Sequence, residues 1–324
     1  MSIHPITTSF TPIALDTDSL KSSKISLDKL YSKLDKLYLQ PLQQQINALK
    51  RQQRLVDSDL RDFLVTVPAE LQLDSIKRLV ADATGSPEGM DQYAAEITDF
   101  ITDSLAGASN SVRKLSGQLD LLKNSTLSDV TDYIKTNEQQ IQRQKTACQA
   151  LETAANEMTA EKEVMNTAMR VMEDKTLWDE WLPLVRGIAR LDPKNPARSA
   201  IQAAVTGVAN IMRISGESVT YTHLVDARKI LQGRLDSHYQ SIGNYKEAID
   251  QLNRQNVQLE NIQAIAPHKI DYEVEVGKVA TTLASFVSIY ALTAKDNPLE
   301  RARSYALQGD TLSRYLQDIR NELR

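Results

Sequence analysis

Leu231, Leu235, His238, Ile242, Tyr245, Ile249, Leu252, Asn256 and Leu259 step alternately by four and three residues. Nine consecutive positions on one seam predict a long, coiled-coil-like packing helix from Ile230 to about Pro267. His238 and Asn256 lie in that seam, where a polar residue fixes register more readily than it binds a ligand. Only 11 Gly, 10 Pro and 5% aromatic residues occur in the 324, which fits a mainly helical chain with long elements.

Similar spacing recurs upstream. Leu27, Leu30, Leu34 and Leu37 step by three, four and three, and Leu42, Ile46 and Leu49 resume the pattern after Pro41. Pro68 is expected to stop or kink this helix. A shorter segment spans Leu71 to Ala83, and Gly85 to Gly89 reads as a loop. A second helical region starts near Met90, with small residues at Ala106 to Asn110 marking either a break or a tight helix contact. From Val112 a long segment extends to about Lys175, with Lys123 to Ser128 as a candidate interruption. Two stretches alternate in polarity. Val219 to His223 reads as a short strand or a return into the bundle, and Ile270 to Val276 as a strand or a helix start. Asn297 and Pro298 suit the N-cap and first position of a last helix.

Leu177 to Ile214 differs from its flanks. It holds both tryptophans and three of the ten prolines. In its second arm the polar residues Arg198, Gln202, Thr206, Asn210 and Arg213 recur every four or three residues, so the polar stripe is thin and the apolar arc wide. That arc includes Ile201, Val205, Val208 and Ile211. The first arm repeats the scheme. Trp178, Trp181, Leu182, Leu184, Val185 and Ile188 take one side, and Arg186 and Arg190 the other. Asp192 to Pro196 cannot continue a helix, because two prolines remove donors and restrict their neighbours. The prediction is a helical hairpin with a charged tip. Either it is a buried pair at the end of a bundle, or it leaves the protein and enters a bilayer with its stripe turned to a water-filled lumen. The uncharged run from Ser199 to Met212 is shorter than the roughly 18 residues of an ordinary span. Arg186, Arg190, Lys194 and Arg198 are candidates for lipid phosphates, for acidic groups of a partner, or for solvated charge that keeps the hairpin soluble.

No catalytic signature accompanies this architecture. There is no P-loop, no GxGxxG and no HExxH, and His4, His223, His238 and His268 are scattered. The single cysteine, Cys148, excludes both an intrachain disulfide and a thiolate zinc cluster, and its heptad neighbours make it a core residue. No cofactor or metal is called for. A net charge of −4 does not favour nucleic acid. Residues 1 to 15 carry no charged side chain and contain Pro5 and Pro12, so no cleavable secretory signal is visible.

With its apolar hairpin Trp178 to Ile214 set between Val112–Lys175 and Ile230–Ile265, the chain resembles the α-helical pore-forming toxins of the cytolysin A type. It is most similar to the B component of the alpha-xenorhabdolysin binary toxins. The likeness spans nearly the whole length at the level of architecture. It implies an all-α, elongated bundle of long coiled-coil-like helices formed by 1–176 and 215–324, with 177–214 as a membrane-directed hairpin at one end. It implies no enzyme activity. It implies a protein secreted without a visible signal, a soluble monomer that joins an A-type subunit in a hetero-oligomeric ring on host membrane lipids. In that state the apolar arc would face lipid, and Gln202, Thr206 and Asn210 would line the pore. A coiled-coil scaffold or secretion-apparatus adaptor accounts for the heptads as well, and predicts no lipid binding. On the toxin reading, Asp at Val205 or Val208 is expected to abolish lysis with the fold intact.

Overall fold

The structure, a computed structural model, describes residues 10–85, 90–173, 196–212, 220–292 and 297–323. The chain is all-α. Among the described residues there are nine helices and no strand: α1 (Thr17–Lys33), α2 (Gln40–Glu70), α3 (Leu73–Gly85), α4 (Met90–Asn124), α5 (Thr131–Glu173), α6 (Pro196–Met212), α7 (Tyr221–Gln263), α8 (Ile265–Leu292) and α9 (Pro298–Glu322). They fall into two compact units, Met1–Val130 with Val257–Arg324, and Thr131–Asn256.

In the first unit α4 packs on α2 and α8, α1 lies on α8, and α9 packs on α3, α2 and α4. The expected heptads supply the core: Leu27, Leu30, Leu34, Leu37, Leu42, Ile46 and Leu49 are all buried. Helix α1 starts earlier than the leucine pattern. The Asp16 side chain caps it by accepting the Ser19 N–H at 2.9 Å, and Leu20 is already in the core. Pro68 sits inside α2, whose end comes just after it. Gln72 then takes a left-handed φ of 46°, and Ser75 and Ile76 donate to its carbonyl as α3 begins. The small residues 106–110 are a tight contact, with no break. Ala108 is fully buried, and the Ser111 hydroxyl donates to the Glu70 carboxylate at 3.0 Å.

The alternating stretch 270–276 is helical. A strand would have put Glu273 and Glu275 on one face. The helix separates them, and each finds its own lysine, Lys269 at 2.9 Å and Lys278 at 2.7 Å. Helix α8 is lined along one side by Tyr272, Val276, Val279, Leu283, Phe286 and Tyr290, all buried. Its break from α7 falls at Ala264, three residues before Pro267, so the proline belongs to the first turn of α8, where its missing N–H costs nothing. Asn297 caps α9 as expected, accepting the N–H groups of Leu299 and Glu300.

In the second unit α5 and α7 run antiparallel, as successive pairs show: Asn137 with Asn256, Glu152 with Lys246, Lys162 with Gln232, and Glu173 with Tyr221. Cys148 and Ala155 of α5 meet Leu235 and Ile242 of the α7 seam, so Cys148 is a core residue. The alternating stretch before α7 is described from Thr220, where the Thr220 and His223 side chains start the helix by exchanging hydrogen bonds with each other's backbone N–H. The loop Ser86–Gly89 lies outside the described residues.

Candidate membrane-directed site

Helix α6 is the second arm of the hairpin that the sequence singles out, and it packs closely on α5. Small residues permit the approach. Ala204 and Ala168 are buried between the helices, and a Cβ on Gly207 would stand 3.4 Å from the Met165 Sδ-methyl carbon. Ala204 and Val208 join Met165, Ala168 and Met169 of α5 and Leu224, Ala227 and Leu231 of α7 in one core cluster, with Ile211 packed against its edge. Val208 is 0% exposed.

The polar stripe points the other way. Gln202, Thr206 and Asn210 are exposed, and the Thr206 hydroxyl returns to the Gln202 carbonyl at 2.9 Å. An open cleft of 580 Å³ runs beside the stripe, between Glu161, Val164 and Met165 on α5 and Gln202, Thr206 and Asn210 on α6. So the two faces of α6 are sorted by polarity as the spacing predicts, and here the apolar face is stowed against α5 and α7.

One expectation is corrected. Aspartate at Val208 cannot leave the fold intact, because it would place a carboxylate in the buried cluster without a partner. Arg198, Ile201 and Val205 lie in α6, but their side chains are outside the described residues. The whole first arm is outside them as well, which takes in Trp178, Trp181, Leu182, Leu184, Val185, Arg186, Ile188, Arg190 and Lys194. Met165 and Met169 of α5 pack directly beneath α6.

The sequence reading missed Asn137. It sits between Ile134 and Ile141 at seam spacing, a polar residue facing the polar seam residue Asn256, and the two amides hydrogen-bond at 2.8 Å. A search for polar residues on both seams would have found the pair. Among the described residues no group of three or more His, Cys, Asp or Glu could hold a metal ion. No described helix is long and apolar enough to cross a membrane.

No family model matches the chain, and no curated protein matches it by sequence. The structure does have close likenesses. PaxB from Photorhabdus luminescens superposes with a TM-score of 0.81 at 13% identity, covering 97% of this chain and 98% of that one. The fold is that of PaxB. XaxB from Xenorhabdus nematophila matches with a TM-score of 0.77 at 17% identity, over 96% of this chain and 100% of that one. A chain of the XaxAB pore complex from the same organism matches at 0.64, again at 17% identity, over 96% and 99%. These likenesses establish the fold over essentially the full length.

Proposed function

We propose that the chain is the B-type subunit of a two-component α-helical pore-forming toxin, which assembles with an A-type subunit into a hetero-oligomeric ring and perforates host membranes. The observation that carries this is the full-length likeness to XaxB and to a chain of the XaxAB pore complex. The burial of Ala204 and Val208 against α5 and α7 supports reading this structure as the unassembled subunit, with α6 stowed. Residues 177–214 are then the membrane-directed hairpin. On release, its second arm turns Ala204, Val208 and Ile211 from the α5–α7 core to lipid, and Gln202, Thr206 and Asn210 to the lumen. That exchange is physically balanced, because apolar area that leaves one apolar environment enters another. Trp178 and Trp181 suit the membrane–water interface, and Arg186, Arg190, Lys194 and Arg198 suit lipid phosphates. No catalytic step is involved, and the subunit is exported and acts at a foreign membrane.

The test is dye release from liposomes and red cells, with this protein alone and with an A-type subunit. Release that needs both proteins is the expected result. No release and no lipid binding under either condition would overturn the reading.

A further inference from the structure

Residues 10–16, ahead of α1, are not helical, yet they are anchored along α8. Phe10 is 7% exposed and meets Phe286 edge-on, with ring centroids 5.3 Å apart. The Ile13 N–H donates to the Thr282 hydroxyl at 3.2 Å, and the Asp16 N–H donates to the Glu275 carboxylate at 3.0 Å. Glu275, Thr282 and Phe286 lie about two and about three turns apart on one face of α8, a rise of about 16 Å. Six extended residues span about 20 Å. The segment therefore runs antiparallel to α8 as a strap, with Pro12 keeping it out of helix.

The strap is held less firmly than α1. One buried side chain and two backbone donors accepted by side chains secure it, whereas Leu20, Leu27, Leu30 and Tyr31 bury α1 in the core. Segments with few buried contacts open first. Beneath the strap, Phe286, Tyr290 and Tyr305 form a ring cluster with centroids 4.9–5.5 Å apart. Lifting the strap bares the Phe286 end of this cluster and the Glu275 and Thr282 acceptors as one groove, the kind of aromatic surface that a free subunit keeps covered.

We propose that residues 10–16 are an autoinhibitory latch, closed over α8 in the free subunit and lifted when the subunit assembles on a membrane. The lysis arm of its test rests on the pore-forming reading; the cleavage arm does not.

Chymotrypsin reads the latch directly, because the Phe10–Thr11 bond is cleavable only with Phe10 out of its seat. In the free protein, Thr282→Val removes one acceptor and should speed cleavage there at least five-fold, with the melting temperature nearly unchanged. Cleavage that rises only with global unfolding would overturn the latch. For lysis, Ile13→Cys with Thr282→Cys in a Cys148→Ala background ties the strap down when oxidised. Dye release with the A-type subunit should drop at least ten-fold on oxidation and return with reductant. Equal release in both redox states overturns the autoinhibitory role. No release from the wild type rejects the pore-forming reading and this role with it, while the cleavage result still decides whether the strap opens by itself.

Discussion

Across the α5–α7 seam the Asn137 amide nitrogen donates to the Asn256 amide oxygen at 2.8 Å, with each residue only 9% exposed. Shifting either helix by one turn would bury each amide against aliphatic neighbours. The pair therefore fixes the register of the seam, where the adjacent positions Ile134, Ile141, Leu252 and Leu259 are aliphatic.

Replacing one partner, as in Asn137→Leu, should cost about 1–3 kcal/mol, because it strands a buried amide. Adding Asn256→Leu should recover most of that loss. Urea unfolding of the two single variants and the double variant measures the coupling. A double variant no more stable than the worse single one would contradict the register role.

Gly309 of α9 faces Leu73 of α3 so closely that an added Cβ would lie 2.4 Å from Leu73 Cδ2. Gly309→Ala should destabilise the first unit by about 1–3 kcal/mol through overpacking. Leu73→Ala in the same chain should relieve part of it, since residues in contact are not additive. A thermodynamic cycle over the four proteins gives the sign.

The two faces of α6 should respond oppositely. Val208→Ala removes two methyls from a closed cluster and should cost about 2 kcal/mol. Val208→Asp should cost more than about 3 kcal/mol, because the carboxylate gains no partner. Thr206→Ala and Asn210→Ala, on the exposed stripe, should stay within about 0.5 kcal/mol of wild type. Chemical denaturation checks the stabilities. Single-channel recording with the A-type subunit then checks whether Asn210→Lys shifts ion selectivity, as a lumen position must.

Stability should fall on the alkaline side. Burial pushes the Tyr290 hydroxyl up to about 12, and burial also raises those of Tyr31, Tyr272 and Tyr305. The folded protein holds these protons while the unfolded chain releases them near pH 10. Their contribution is complete below pH 10 and is lost from there up to pH 12 and beyond. Absorbance of tyrosinate should therefore rise together with loss of helix by circular dichroism. Tyr290→Phe should reduce the alkaline slope. Ionisation of all eleven tyrosines near pH 10 with the helices intact would contradict this.

Much of this protein was legible because helices announce themselves by periodicity. The α7 seam, the leucines of α1 and α2, the Asn297 cap and the core role of Cys148 all derive from local spacing, and so does the amphipathic sorting of α6. The alternation at Ile270–Val276 left strand and helix both open, since period-two polarity in seven residues also fits a helix whose buried acids are paired at i+3 and i+4. Local pattern determines which face of a helix is apolar. It does not determine what covers that face, because the partner comes from distant sequence. Only the tertiary structure decided that Val208 is stowed on Met165 and Leu224, that Asn137 answers Asn256, and that Phe10 reaches Phe286. Each of these depends on residues that are neighbours in space and far apart along the chain.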